Sequence, residues 1–353
     1  MQWGMLYSQD IMQKKNLSEN IYDVIGIGFG PSNLSLAVAL KEERFPGNYL
    51  FLEKQPDFSW HPGMMLPDAT IQTPFLKDLV TLHNPRSHFS FLNFLKEQDR
   101  LLDFIALRDF FPTRQEFNAY FKWAANQVAE HILYNRETVE IKPHVSTIKD
   151  ISLVEVVVTN RLNDTTEMYL ARNIVFGIGA SAVMPKINME LNDQIFHAKQ
   201  FMDVIKKIKD RKPHSFTVVG AGQSAAEITY YLLTHFEQSQ VFVLSRGFVF
   251  HSLDENPIVN SLYSHRSSEK FYELSQSARE IFINDLTLSN FSAVDNELVR
   301  KIAYVSYGRQ VQQKPPLKIY PFCEIQGVEK KVMAIKSLMK TKNTVEPIRF
   351  LQK

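Results

Sequence analysis

The period of the hydrophobic pattern changes in the same way at two places along the chain. Residues 21–28 (IYDVIGIG) are apolar and end in glycine, an apolar stretch with helical spacing follows from Leu34, and residues 49–54 (YLFLEK) are apolar again. The order of strand, glycine turn, helix and strand is typical of a doubly wound parallel sheet. The run SFTVVGAGQSAAEITYYLL from Ser215 and the run VFVLSR at 241–246 repeat that order. We therefore predict an α/β fold with two Rossmann-like dinucleotide-binding domains.

The segments between and after these units have other patterns. Residues 60–130 are rich in proline, histidine and aromatic residues and contain two stretches with helical character, FSFLNFLKEQDRL and RQEFNAYFKWAANQV. We predict that this helical insertion forms the active-site region rather than extending the sheet. Strands joined by polar turns are predicted at 139–180, helices near 268–284 and 295–307, and strands in the C-terminal residues.

Chain length and pattern together predict the division into domains. A chain of 353 residues is too long for one ordinary domain. We predict a flexible tail at 1–20, a first nucleotide-binding domain at 21–200 that contains the insertion at 60–130, and a second nucleotide-binding domain at 201–353.

Composition narrows the range of partners. Forty Lys and Arg residues against 38 Asp and Glu residues give a net charge of +2, which predicts neither a nucleic-acid nor a membrane partner. No apolar run approaches the length that spans a bilayer, and the first twenty residues have no apolar core of signal-peptide length, so we expect a cytoplasmic protein. The single cysteine, Cys323, excludes a disulfide framework and a C-x-x-C redox or zinc site within the chain; we predict no metal.

The first glycine turn is Gly28-Phe29-Gly30-Pro31-Ser32-Asn33. The first glycine permits a tight turn, the second lets the backbone approach a pyrophosphate, and the following helix directs its N-terminal N–H groups at the phosphates. Asn33 stands where the fingerprint has a third glycine. The flanking strand and helix favour nucleotide binding nonetheless, as does Glu53 at the end of the next strand, where an acid can bind a ribose hydroxyl. The alternative is a tight strand–helix connection without a ligand.

The second glycine turn is Gly220-Ala221-Gly222-Gln223-Ser224-Ala225, and the strand after its helix ends in Ser245-Arg246 rather than in an acid. A guanidinium pairs with a 2′-phosphate, whereas a carboxylate repels it. This contrast favours NADPH at the second turn and FAD at the first, although Arg246 could be a solvated surface charge. Two dinucleotides in one chain imply electron transfer between them.

Seven sequence blocks, in order along the chain, carry a resemblance to a known family. They are DVIGIGFGPSNLSLA, WHPGMML, IQTPFLKDLVTLHNPRSHFSFLNFL, FPTRQEFNAYFKWAA, VVGAGQSAAE, DENPIVNSLYS and SNFSAVDNELV. The chain resembles the ornithine and lysine N-monooxygenases of siderophore biosynthesis. The resemblance implies that NADPH reduces FAD, that O₂ then forms a C4a-hydroperoxyflavin, and that the neutral terminal amine of the substrate attacks it. It also implies a homo-oligomer, a dimer or a tetramer.

The resemblance assigns roles to individual residues. Lys77 in PFLKDL matches a lysine that binds the substrate carboxylate. Asn260 in PIVN matches an asparagine that holds the amino-acid end of the substrate. Asn290 in SNF matches a residue that hydrogen-bonds near the reacting amine, and Gln72 a glutamine close to the flavin; these two are the expected catalytic residues. The other expected cofactor contacts, in addition to the two glycine turns and Glu53, are Lys54, Trp60, His61 and Arg114 for FAD, and Gln223, Ser224 and Arg246 for NADPH.

Each assignment has a structural alternative. Lys77 lies between apolar neighbours where a free charge is unwelcome, which favours a ligand contact over a surface lysine. Asn260 and Asn290 could cap helices. His61 could be a structural histidine in a turn, and Trp60 and the aromatic residues between 89 and 121 are expected to be core residues more than cofactor contacts.

The sequence departs from the family around the substrate and at its end. The block DENPIVNSLYS and the pair Thr73-Pro74 differ from the ornithine enzymes, which leaves ornithine, lysine, histamine and putrescine as candidate substrates. A retained Lys77 favours a carboxylate-bearing amino acid. The chain ends at Lys353, where the family continues into a segment that returns to the FAD domain, so we expect weak flavin retention and low activity. A truncated, inactive or NADPH-only-binding homologue and another flavin monooxygenase are the alternatives, while one cysteine cannot form the redox pair of a disulfide reductase.

Overall fold

The structure is a computed structural model, and the residues that it describes are 21–144, 153–185, 191–208, 214–253, 256–257, 265–286, 293–331, 334–340 and 345–348. The chain divides into two compact units. The first consists of Met1–His61 and Pro67–Ser181, and the second of Pro62–Leu66 and Ala182–Lys353.

The first unit contains one sheet of six strands. These are β1 (Ile21–Ile27), β2 (Tyr49–Leu52), β3 (Ile132–Leu133), β4 (Arg136–His144), β5 (Leu153–Asn160) and β6 (Thr165–Phe176). The spatial order is β3-β2-β1-β6-β5-β4. The first four strands in that order are parallel, and β6, β5 and β4 pair in antiparallel fashion. The carboxyl ends of β1, β2 and β6 therefore meet at one edge, where the first glycine turn begins.

Helices cover one face of this sheet. They are α1 (Pro31–Glu42), α2 (Phe91–Glu97), α3 (Leu101–Leu107) and α4 (Arg114–Asn126). Tyr49 and Phe51 of β2 pack into the core cluster on the helical face, while Leu50 and Leu52 pack on the opposite face with residues of β1 and β5. This alternation follows from the period of two along a strand, and it explains why all four residues of β2 are buried.

The predicted insertion is helical, and its aromatic residues form the core beneath it. The buried side chains of this cluster are Phe89, Phe91, Phe94, Phe104, Phe117, Tyr120 and Phe121. The prediction that the aromatic residues between 89 and 121 belong to the core is confirmed for these seven, whereas Phe110 and Phe111 are exposed. The stretch FSFLNFLKEQDRL contains α2 and ends at the first residue of α3, and Asp99, which lies between the two helices, takes a left-handed conformation with φ of 56°.

The second unit repeats the strand, turn and helix order. Its elements are α5 (Phe201–Ile205), β7 (Ser215–Val219), α6 (Gln223–His235), β8 (Gln240–Leu244), β9 (His251–Ser252), α7 (His265–Glu273), α8 (Gln276–Leu286), β10 (Ala293–Val294), α9 (Asn296–Val311), β11 (Lys318–Tyr320), β12 (Glu324–Lys331), β13 (Ala334–Lys340) and β14 (Val345–Ile348). A parallel sheet has the order β11-β8-β7, β9 pairs with β10, and β12, β13 and β14 form an antiparallel sheet.

Both predicted strand–turn–helix–strand units are present with parallel strands, which confirms the predicted α/β class. The predicted helix near 268–284 is two helices, α7 and α8. Across the described parts of the chain, no helix is both long enough and apolar enough to span a bilayer.

Candidate functional site

The first glycine turn has the backbone geometry that its sequence predicts. Gly28 has a φ of 80°, and a Cβ at this position would lie 2.7 Å from the carbonyl oxygen of Gly177, so only glycine fits. The N–H of Gly28 donates to the carbonyl of Leu52 at 2.8 Å, which ties the turn to the end of β2. Gly30 is the N-cap of α1, and apart from its chain neighbours no atom of the described residues lies within 4 Å of the place where its Cβ would be. Pro31 then begins the helix without a side-chain cap, which leaves an open surface at a helix N-terminus.

Asn33 replaces the third glycine of the fingerprint and is almost completely buried. Its Nδ2 donates to the carbonyl oxygen of Gly28 at 2.6 Å and lies 3.3 Å from that of Ile27. The side chain occupies space left by two glycines on neighbouring strands, because a Cβ on Gly177 would lie 2.5 Å from Nδ2 and a Cβ on Gly26 would lie 3.1 Å from it. Asn33 therefore stabilises the glycine turn through its side-chain amide, which bonds to the turn's backbone carbonyls.

Glu53 follows β2 and contacts the turn directly. Its Oε2 accepts a hydrogen bond from the backbone N–H of Phe29 at 2.6 Å, and its Oε1 accepts one from Gln55 at 2.8 Å. Burial raises the pKa of the nearby Tyr134 to about 12, and the charge of Glu53 adds to that effect. Lys54 is exposed. The acid thus lies at the glycine turn, where a ribose would be expected.

The second glycine turn matches the first closely. Gly220 has a φ of 132°, and its N–H donates to the carbonyl of Leu244 at the end of β8, at 2.9 Å. Gly222 is the N-cap of α6 with φ and ψ of −88° and −174°, compared with −86° and −173° at Gly30. Beyond its chain neighbours, no atom in the described parts of the chain lies within 4 Å of a Cβ built on Gly222. Ser224, in the first turn of α6, is exposed.

Gln223 already has structural partners. Its Nε2 donates to Oε1 of the buried Glu227 at 3.0 Å, and its Oε1 accepts from the backbone N–H of Asp295 at 3.0 Å. Asp295 in turn caps α9 by accepting from Leu298 at 2.7 Å. Gln223 therefore connects the start of α6 to the start of α9.

The strand β8 ends in a buried serine and an exposed arginine. The Ser245 hydroxyl accepts from Gly247 and donates to the carbonyl of Phe248, both at 3.3 Å, and so shapes the turn. Arg246 is exposed. The residue that would face a ribose 2′ position in this type of fold is therefore a cation that is accessible to a ligand.

Two predicted residues of the insertion lie on paired segments. The Ile71 N–H donates to the carbonyl of Pro112 at 3.0 Å, and the Arg114 N–H donates to that of Ala69 at 2.7 Å. These bonds bring the backbone next to Gln72 close to the start of α4. The Gln72 side chain is exposed, and that of Arg114 is partly buried.

Trp60 packs mainly against the core. Its ring centroid lies 5.3 Å from that of Phe121 and 6.4 Å from that of Phe117. Its backbone N–H donates to Oδ1 of Asn118 at 3.1 Å. His61 follows with a φ of 49° and an exposed side chain. Contacts of these two residues with a cofactor remain predictions.

Lys77 is exposed, and its ammonium has no partner among the residues that the structure describes. The prediction that apolar neighbours would desolvate it is wrong for the chain without ligands, because the adjacent Leu76 is itself 39% exposed. An assignment of Lys77 to a ligand therefore depends on the resemblance and on the fixed loop around it. Asn260 and Asn290 lie outside the described residues.

Three residues that hold the loop around Lys77 were not recognised in the sequence. They are Ser35, Asp78 and Tyr120, whose side chains bond to the backbone of residues 79–91. Only Asp78 carries a local signal, because an aspartate that accepts from residues two and three positions later is a common turn motif. Within the described parts of the chain, no group of three His, Cys, Asp or Glu residues could hold a metal ion.

Comparison with known proteins identifies the family. A sequence model of the L-lysine 6-monooxygenase/L-ornithine 5-monooxygenase family matches residues 20–349. The chain is 37% identical over 289 residues to the L-ornithine N(5)-oxygenase of Arthrobotrys oligospora, a match that covers 80% of this chain and 59% of that protein. It is 33% identical over 303 residues to the L-ornithine N(5)-monooxygenase of Pseudomonas aeruginosa, with 84% and 68% covered. The chain thus spans about three fifths to two thirds of the length of these relatives.

Solved structures give the same result. The ornithine N-hydroxylase of Kutzneria sp. 744, with reduced FAD, NADP⁺ and L-ornithine, superimposes with a TM-score of 0.88 at 32% identity and covers 93% of this chain and 78% of that one. The FAD-bound cadaverine monooxygenase of Erwinia amylovora superimposes with a TM-score of 0.83 at 29% identity, and the match covers 93% of this chain and 76% of that one. With its two glycine turns and a match along almost its whole length, the chain belongs to the L-lysine 6-monooxygenase/L-ornithine 5-monooxygenase family.

Proposed function

We propose that the chain is a flavin-dependent monooxygenase that hydroxylates the terminal primary amine of ornithine, lysine or a related amine such as histamine or putrescine, in siderophore biosynthesis. The observation that carries the proposal is the matched geometry of the two glycine turns. Each turn leaves open space at its second glycine and begins a helix that has no side-chain cap. Two such surfaces suit the pyrophosphates of two dinucleotides.

The residues of the first turn fit FAD. The backbone at Gly30 can approach a pyrophosphate, since no described atom fills the space of a Cβ there. The carboxylate of Glu53 has accepted one hydrogen bond on each oxygen and has lone pairs left for ribose hydroxyls. FAD, when reduced, supplies the activation of O₂, and the protein contributes binding and orientation.

The residues of the second turn fit NADPH. Arg246 is exposed at the end of β8 and can pair with a 2′-phosphate, while the chain offers no acid at that position. Gln223 contributes indirectly, by holding the start of α6 against α9. We therefore infer that NADPH, rather than NADH, is the electron donor.

The substrate side of the proposal depends on Lys77. An exposed ammonium without a partner among the described acids is available for a carboxylate, which favours an amino acid over a diamine. The terminal amine of such a substrate has a pKa of about 10.4, so its neutral, nucleophilic form must be favoured by the site. Asn260, Asn290, Gln72 and the remaining predicted contacts are part of the proposal. So are a homo-oligomeric assembly and a cytoplasmic location.

The experiment is a coupled assay on the purified 353-residue protein. NADPH oxidation and hydroxylamine formation are measured with ornithine, lysine, putrescine, cadaverine and histamine, with NADH and an amine-free sample as controls. We expect NADPH-dependent formation of one hydroxylated amine. NADPH consumption without any hydroxylamine would contradict the proposal, and a protein that binds NADPH without flavin would indicate the alternative of an NADPH-only homologue.

A further inference from the structure

The loop of residues 77–81, which contains Lys77, is attached to two helices by polar side chains. The N–H of Leu79 donates to the hydroxyl of Tyr120 on α4 at 3.1 Å, and its carbonyl accepts from the hydroxyl of Ser35 on α1 at 2.7 Å. The Tyr120 hydroxyl in turn donates to the carbonyl of Phe89 at 2.8 Å. Both hydrogen-bonding groups of the Leu79 backbone are therefore held by side chains.

The carboxylate of Asp78 fixes the same loop from within. It accepts from the N–H groups of Val80 and Thr81 at 3.0 and 2.7 Å, and from the hydroxyl of Thr81 at 2.9 Å. A fourth bond, at 2.8 Å, comes from the N–H of Phe91 at the start of α2. One side chain thus joins the residue after Lys77 to the helix that follows.

Tyr120 is the most deeply buried of the three side chains, while Ser35 and Asp78 are half-buried. Burial, followed by the charge of Asp78, raises the pKa of the Tyr120 hydroxyl well above the usual range. The hydroxyl is therefore protonated at neutral pH and can donate to the carbonyl of Phe89. Ser35 lies on the helix that begins at the first glycine turn, so the loop and that turn share one rigid support.

The side chain of Lys77 contrasts with its backbone. The Lys77 N–H donates to the carbonyl of Pro74 at 2.8 Å, and the two residues after it are held by bonds to α1, α2 and α4. The ammonium, in contrast, is exposed and has no partner among the described residues. A charged group on a preorganised backbone loses less conformational freedom when it binds an anion than one on a mobile loop. The hydrogen bonds of Ser35, Asp78 and Tyr120 to this loop, here called the clamp, thus favour anion binding at Lys77, although these three side chains do not bind the anion themselves.

We propose that Ser35, Asp78 and Tyr120 are positioning residues that hold Lys77 where its ammonium receives the carboxylate of an amino-acid substrate. The inference rests on the proposed function and narrows its substrate to amino acids such as ornithine and lysine, which excludes the corresponding decarboxylated amines as preferred substrates.

Matched variants separate positioning from general stability. Ser35→Ala removes the bond to the Leu79 carbonyl. Ser87→Ala is its control, because the hydroxyl of Ser87 donates to Oε1 of Glu42, on the same helix α1, at 2.6 Å and accepts from the N–H of Phe89 at 3.0 Å, and neither bond involves residues 77–81. Asp78→Asn keeps the shape and loses two of four acceptor sites, and Lys77→Ala is the reference for complete loss of the cation.

The test measures KM and kcat for ornithine and for putrescine, which is ornithine without its carboxylate, and the binding of both by calorimetry to protein loaded with FAD and NADP⁺. We expect Lys77→Ala to raise KM for ornithine about twentyfold or more, as for a lost charged hydrogen bond. Ser35→Ala and Asp78→Asn should raise it about threefold to tenfold, as for a weakened neutral bond. In the same variants KM for putrescine, which has no carboxylate for Lys77 to bind, should stay within about twofold of the wild type. In Ser87→Ala the KM values for both amines should stay within the same limit, since the Ser87 hydroxyl does not bond to residues 77–81.

Several results would overturn the inference. One is an equal change in KM for the two amines. Another is a Ser35→Ala variant that behaves like Ser87→Ala, and a third is a Lys77→Ala variant that binds ornithine as the wild type does. Thermal unfolding of each variant shows whether it is folded, and Ser35→Ala tests the inference if Asp78→Asn is not. If the wild type hydroxylates none of the five amines named above, the proposed function fails, but calorimetry still tests the positioning of Lys77. Tighter binding of ornithine than of putrescine that is lost in Lys77→Ala and weakened in Ser35→Ala supports the inference, and its absence refutes it.

Discussion

The side-chain amide of Asn33 occupies the space that a side chain on Gly177 would need: a Cβ built on Gly177 would lie 2.5 Å from Nδ2 of Asn33. The first nucleotide turn is thus supported from two directions. Gly177, after β6, leaves room, and Asn33 fills it while donating to the carbonyl of Gly28. A third glycine usually permits close helix–strand packing in this fold, and here a buried amide and a neighbouring glycine replace it.

Replacement of Asn33 by alanine should destabilise the first unit. The change leaves the partly buried carbonyl of Gly28 without its 2.6 Å donor, which costs about 1–3 kcal/mol of the free energy of unfolding. Urea denaturation measures this loss. The control is Asn93→Ala, which removes a half-buried amide from α2 whose bonds to His88 and Glu97 are exposed to solvent, and it should cost less than half as much. Equal losses in the two variants would show that Asn33 does not support the turn.

The sequence predicted the two parallel units and the helical insertion because these depend on local periodicity and on glycine turns. It did not predict the clamp on the Lys77 loop. Ser35 and Leu79 are separated by 44 positions, so no local pattern connects them. The burial of Lys77 was predicted wrongly for a related reason: apolar neighbours in sequence do not bury a side chain when they are themselves exposed, as Leu76 is. The same limit applies to Gln223, whose partner Asp295 is brought to it by the packing of α9 on α6.

Alanine at either open glycine should affect one cofactor and leave the fold intact. Gly30 and Gly222 have ordinary negative φ values and no described atom within 4 Å of a Cβ, so the ligand-free protein tolerates the change. A methyl group would displace the pyrophosphate from the backbone, and we expect about a tenfold loss of affinity or more, for FAD in Gly30→Ala and for NADPH in Gly222→Ala.

Flavin fluorescence and NADPH titration measure these affinities, and thermal unfolding of the apoprotein checks the fold. Gly308→Ala is a suitable control, because Gly308 lies within α9 and, outside the backbone of that helix, no described atom lies within 4 Å of its Cβ position. Loss of both cofactors in either single variant would contradict the assignment of one turn to each dinucleotide.

Arg246→Ala should lower the preference for NADPH over NADH. The exposed guanidinium is expected to pair with the 2′-phosphate, a charge-assisted contact whose loss should raise KM for NADPH about tenfold or more and leave KM for NADH unchanged. Steady-state oxidation of both nucleotides measures the ratio. Arg300→Ala removes another exposed arginine, on α9, and should leave the ratio unchanged. Parallel changes for the two nucleotides would remove the basis for NADPH selection by Arg246.

Glu167→Gln should destabilise the first unit at neutral pH, and the effect should fade in acid. The carboxylate accepts from Tyr169 at 2.7 Å, from Nε of Arg136 at 2.7 Å and from Nδ2 of Asn160 at 2.8 Å. Burial acts to raise the pKa of Glu167, but these hydrogen bonds outweigh it and hold the pKa below its usual value of 4.5. Because the lowered pKa belongs to the folded state, the stabilisation is fully present above the unfolded value and is lost as pH falls through the folded one.

We therefore expect Glu167→Gln to lower the free energy of unfolding by roughly 1–3 kcal/mol at pH 7, as for a buried bond to a charged group. The difference from the wild type should be constant down to the ordinary pKa of glutamate and then shrink, since below that pH the unfolded chain takes up a proton before the folded carboxylate does. Urea denaturation at a series of pH values measures it. The control is Glu137→Gln, whose ion pair with Arg161 is exposed and should contribute little. A difference that persists unchanged in acid would mean that Glu167 stabilises the sheet through its shape and not through its charge.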